Sequence, residues 1–125
     1  MRFHTRATGD AGSELPLLED CEPAFRDAQR VVGRKWHPII VYHLLDAGPL
    51  GFSELKDRVD DVSSKMLAES LDDLQAAGLL EREQVREGPT RVEYSLTERG
   101  AALEPLLVEM LWWGTTHGPV TEADR

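Results

Sequence analysis

Cysteine is almost missing from this chain. Cys21 is the single one among 125 residues, which excludes an internal disulfide and leaves only a bridge between two chains. Lysine is scarce as well, with Lys35, Lys56 and Lys65 the only three. No apolar run approaches the ~20 residues that span a bilayer. The opening MRFHTRATGDAGSELPLLED has no signal-peptide apolar stretch, so a cytoplasmic protein is expected. The histidines, His4, His37, His43 and His117, show no ligand spacing and have no second thiol beside them, so no metal site is expected. No Ser/His/Asp set, phosphate loop or carboxylate pair stands out. Neither an enzyme nor a bound cofactor is expected.

Acid is abundant. Asp and Glu number 23 against 14 Lys and Arg, giving a net charge of −9. Such a Lys-poor, acid-rich surface fits a halophilic source, since repulsion is screened within ~3 Å at 1 M salt; an ordinary acidic protein fits the composition equally well. Negative charge argues against a nucleic-acid partner in dilute buffer, and that objection weakens in molar salt. With 41% hydrophobic residues the chain can bury one small core, whose stability would gain from a partner.

Periodicity divides the chain. Residues 1–18 mix Gly, Thr, Asp and Ser without a period and read as a flexible tail. Residues 19–117 form one domain, and 118–125 a flexible end. Phe25, Ala28, Val31 and Val32 recur at helical spacing up to a stop at Gly33. A helix from about Trp36 to Asp46 is apolar nearly all round and should be central. AGPLG, residues 47–51, leaves room for a very short strand. Ser53 is expected to N-cap the short helix ELKDRV. Ser63 should cap the next helix, whose Leu67, Leu71 and Leu74 mark a buried stripe with Met66 beside it, and Gly78 should end that helix. Two strands around EGPT, residues 87–90, follow as a hairpin, with a bulge expected because Leu79 and Leu80 cannot both face one side. Thr97 should cap a long final helix that Pro105 kinks or splits. Its apolar face, with Leu106, Met110, Leu111 and Trp113, exceeds what a small domain needs and points to a second subunit.

This order of elements is an α+β, mostly helical winged helix-turn-helix with a C-terminal dimerisation helix. At GRKW (33–36), the FSEL segment (52–55), VSSKMLAESLDDLQAAGLLER (62–82) and PTRVEYSLTERG (89–100), the chain resembles the HxlR-type transcriptional regulators, relatives of the MarR group. The resemblance implies a homodimeric winged-helix protein that binds double-stranded DNA, with many relatives regulating detoxification or redox-response genes. Many such regulators carry a cysteine where Cys21 stands, and in several it senses oxidants or electrophiles. A helix N-terminus favours a thiolate there, while Asp20 and Glu22 oppose it.

A recognition helix enters the major groove by its N-terminal end. Ser63, Ser64 and Lys65 stand there, with Glu69 one turn later as a possible acceptor from a cytosine amino group. The solvated alternative makes Glu69, Asp72 and Asp73 an outer face. On the wing, Arg86 and Arg91 flank the Gly-Pro tip and suit DNA backbone or minor groove; the alternative pairs Arg82 and Arg91 with Glu81, Glu83 or Glu93 across strands, and Arg82 reads as structural. Lys56, on the preceding helix, can reach a phosphate or stay solvated. Trp36, Trp112 and Trp113 read as core and interface anchors, and Tyr42 and His43 as packing residues or the lining of a small effector pocket. The competing function is a winged-helix module that binds protein instead of DNA.

Overall fold

In the computed structural model, the backbone is described for residues 18–86 and 90–119, and side chains for residues 21–85 and 91–119. Residues 1–17 and 120–125, the bulk of the two expected tails, lie outside the described residues. The elements run α1 (Leu18–Val32), α2 (His37–Ala47), β1 (Leu50–Gly51), α3 (Phe52–Arg58), α4 (Ser64–Ala76), β2 (Leu80–Arg86), β3 (Thr90–Leu96), α5 (Glu98–Ala101) and α6 (Glu104–His117). α1 carries Pro23 within its second turn.

The central helix is α2, with Ile40, Val41 and Leu44 buried. Pro38 opens it, where a missing N–H removes no hydrogen bond. Leu55 and Val59 from the α3 region and Leu67, Leu71 and Leu74 from α4 close over the same core. α3 and α4 with the turn between them are the helix-turn-helix. In that turn Asp61 takes φ 66°, a conformation Asp tolerates better than most residues. Arg58 fastens the unit to α2, donating to Asp46 Oδ2 at 2.6 Å and to His43 Nδ1 at 3.3 Å.

The cap of α3 corrects the sequence reading. Gly51, not Ser53, is its N-cap, and the Glu54 carboxylate accepts from the Gly51 N–H at 2.7 Å. Glycine has no side chain to return the bond, so this is half of a capping box. The shift follows from β1: Leu50 pairs with Tyr94 and Gly51 with Glu93, which brings the helix start to Phe52. Ser63 does cap α4, its Oγ accepting from Met66 N–H at 3.0 Å.

The far end of α4 is closed twice. Gly78 at φ 78° lets Leu79 N–H reach Leu74 O and Gly78 N–H reach Gln75 O, the paired bonds of a Schellman end. The segment after the hairpin then covers the next three carbonyls. Arg99 Nε donates to Ala77 O, Thr97 Oγ1 to Gly78 O and Thr97 N–H to Leu79 O. Gly100 allows this approach, because a Cβ there would lie 2.2 Å from the Leu79 carbonyl oxygen. The TERG stretch therefore locks the end of α4 to the base of the wing.

The sheet order is β1-β3-β2, all antiparallel, with Leu80 opposite Leu96 and Arg86 opposite Thr90. The register is unbroken, so the expected bulge is absent from the described strands. Leu79 belongs to the turn leaving α4, and both leucines reach the core without sharing a strand face. Thr97 caps only the short α5, its Oγ accepting from Gly100 N–H. The chain then breaks, and α6 starts with Pro105 in its first turn. Phe25, at helical spacing with Val31 and Val32, is 63% exposed, and Met66, beside the leucine stripe, 40%.

Candidate DNA-binding interface

α4 owes its helical form to a Ser cap at the start and a Gly end, with Leu67, Leu71 and Leu74 turned into the core. The opposite face is free for a partner. Ser63, Ser64, Lys65, Ala68, Glu69 and Asp72 are all exposed; Ser64, Ala68 and Asp72 stand in the i, i+4, i+8 relation along one side, with Lys65 and Glu69 beside them. Lys65 makes no ion pair among the described residues. The first turn thus combines two hydroxyls, an ammonium and the positive end of the helix dipole, a combination suited to phosphate or to guanine acceptors.

The wing is arranged differently. Arg91 pairs with Glu93 two residues along the same strand, and its Nη1 lies 3.9 Å from Glu54 Oε1. Glu93 faces Glu83 across the ladder, a like-charge pair that the arginine relieves. To meet DNA, Arg91 must exchange these carboxylates for phosphate. Arg82 is exposed opposite Tyr94, and the Arg86 side chain lies outside the described residues. Lys56 on α3 is half-buried.

Asp73 is not simply solvated. Its Oδ2 lies 3.3 Å from Arg34 Nη2 and 3.7 Å from His37 Nε2. His37 is 5% exposed, and its Nδ1 is buried with no hydrogen-bond partner. Burial first, and then the Arg34 charge, lower the His37 pKa, with Asp73 opposing them. His43 is lowered likewise by burial and Arg58.

Tyr42 joins Val32, Ile39, Leu107, Met110 and Leu111 around an apolar cleft of about 540 Å³ between α1, α2 and α6. His43 is not in its lining. Trp36 is half-buried against the core, whereas Trp112 and Trp113 stand exposed on α6. Cys21 is half-buried in the first turn of α1. The described residues hold no group of metal-ligating side chains and no helix long and apolar enough to cross a membrane.

A helix-turn-helix followed by a two-stranded wing defines the winged-helix class of DNA-binding proteins. Residues 31–122 match the HxlR-like helix-turn-helix family, and the chain belongs to it. The chain is 39% identical over 110 residues to YybR, an uncharacterized HTH-type transcriptional regulator of Bacillus subtilis (strain 168), covering 88% of this chain and 86% of that one. Its fold is similar to the redox regulator HypR in its oxidized form (TM-score 0.70, 36% identity, 78% of this chain and 99% of that one). It is similar also to the reduced form of the transcriptional regulator YodB from B. subtilis (TM-score 0.69, 36% identity, 76% and 92%). The chain is thus a winged-helix transcriptional regulator of the HxlR type.

Proposed function

We propose that two copies of this chain bind a pseudo-palindromic duplex, each inserting the first turn of α4 into the major groove. Half-sites would lie about one helical turn, ~10 bp, or a multiple apart. The observation that carries this reading is the exposed Ser63–Ser64–Lys65 turn, the end of α4 left open while Thr97 and Arg99 close the other. Lys65 and the two serines contact base edges or phosphate, Glu69 accepts from a cytosine amino group, and Lys56 contacts the backbone. Arg91 and Arg86 lie along the neighbouring groove. The acidic residues fall beyond the entering turn, which limits the number of phosphate contacts. Binding with fewer phosphate contacts loses less affinity as salt rises, by ~0.9 per contact in the logarithmic slope, which suits a salt-rich cytoplasm.

Self-association would run through α6, whose Met110, Leu111, Trp112 and Trp113 are exposed together. Cys21 would supply a response to oxidants or electrophiles. HypR is described as a redox regulator, and Cys21 stands half-buried in the first turn of α1. Treatment with an electrophile should then release wild-type protein from DNA and leave Cys21→Ser bound.

Mobility shift on the duplex upstream of the protein's own gene, at low and at molar KCl, tests the reading. A discrete shift weakened by Lys65→Ala supports it. No shift at any salt would favour a protein-binding winged helix, the reading that the net charge of −9 suggests.

A further inference from the structure

Apolar packing holds α4 to the core along Leu67, Leu71 and Leu74. Such packing is non-directional and tolerates a small roll of the helix about its axis. A polar tie across to another element removes that freedom; besides the bonds of Thr97 and Arg99 at its far end, one exists at Asp73. Its Oδ2 accepts from Arg34, in the turn between α1 and α2, at 3.3 Å, and lies 3.7 Å from Nε2 of His37, the first residue of α2, beyond hydrogen-bond reach. The partners lie 39 and 36 residues back in the chain, so the contact joins the helix to a separate part of the fold. His37 is buried, with one ring nitrogen unpartnered, and so has little room to follow a moving carboxylate.

We propose that Asp73 is a positioning residue for DNA readout: through one carboxylate oxygen that accepts from Arg34 and lies 3.7 Å from His37 Nε2, it sets the rotation of α4 and hence the aim of Ser64, Lys65 and Glu69. The proposal rests on the DNA-binding reading above. It predicts an effect opposite to that of plain electrostatics. Removing a negative charge near a polyanion should tighten binding to any duplex. Removing this one should cost the difference between the right duplex and the wrong one. Asp72, exposed like Asp73, provides the matched charge change without the tie.

The charged groups that face His37 are Arg34 from the turn and Asp73 from α4. A second proton on the ring would draw Nε2 towards Asp73 while burying an Nδ1–H with no acceptor. The setting of α4 should therefore change on acidification, and discrimination should fall with it.

The test measures affinity for the upstream duplex and for a scrambled duplex of the same length, for wild-type, Asp73→Asn and Asp72→Asn, each first checked for folding by thermal melting. The expected result is a drop of about tenfold in the affinity ratio for Asp73→Asn, with the ratio kept in Asp72→Asn while both duplexes bind tighter. Arg34→Gln should reproduce the loss, and it carries the test if Asp73→Asn fails to fold. Wild-type discrimination should also weaken below neutral pH, and His37→Gln should remove that dependence. A wild-type ratio well above one that survives in Asp73→Asn and Arg34→Gln overturns the positioning role alone. A wild-type ratio of one overturns the DNA-binding reading and this proposal together.

Discussion

α4 and α6 are nearly equal in length, 13 and 14 residues, yet the fold treats them in opposite ways. α4 buries three leucines and a serine and turns a polar face outward, so every side has a place within one chain. α6 buries Leu107 alone and exposes Leu111 at 49% and Trp113 at 62%. Contiguous exposed apolar residues of this size mark an interaction surface. The structural demands of one chain account for α4, whereas α6 makes sense with a second body against it. The comparison separates the helix proposed to meet DNA from the one proposed to bring two copies together.

Four substitutions or conditions sharpen that contrast. The largest effect should come from Leu71→Ala, which opens a cavity beneath α4 and should cost about 2–5 kcal/mol in denaturant unfolding. Next, Leu111→Asp should leave the monomer folded, because its side chain is exposed, while weakening self-association by about thirtyfold or more, as loss of a central anchor does. Sedimentation at graded concentrations reads this directly; an unchanged association would move the interface away from α6. Third, Ser63→Ala removes the α4 cap bond and should cost ~1 kcal/mol of stability.

The fourth concerns pH. His37 and His43 both have pKa values held below the ordinary histidine value, chiefly by burial. The unfolded chain therefore binds protons more readily than the folded one over the range just below about 6.5. Stability should be full above that value and decline as the pH falls beneath it, seen as a lower melting temperature in mild acid. His37→Gln should remove part of the decline.

Local chemistry explains which features the sequence disclosed. Ser63 as a cap, Gly78 as a helix end and Pro105 as a break depend on a few adjacent residues, and all three stand as read. The leucine stripe of α4 and the alternation of Val92, Tyr94 and Leu96 follow from side-chain period alone. The start of α3 was misplaced because pairing of Leu50 and Gly51 with a strand more than forty residues later fixes it. The bulge at Leu79 was expected because both leucines were assigned to one strand. Phe25 and Met66 have the spacing of buried residues, but burial also depends on what packs opposite. Of the candidate interface, the Ser63–Lys65 turn was legible, since helix entry geometry is general. The pairing of Asp73 with Arg34 was not, because a single long-range contact has no period. The pairing of Arg91 with Glu93 was legible as an alternative, although along the strand and not across it.

The most direct test of the account is the salt dependence of binding for wild-type and Lys65→Ala on the same upstream duplex, from low to molar KCl. If the first turn of α4 enters the groove with Lys65 at a phosphate, the variant should bind more weakly and its logarithmic slope should be shallower by ~0.9. Equal affinity and equal slope would contradict the placement of DNA on this turn.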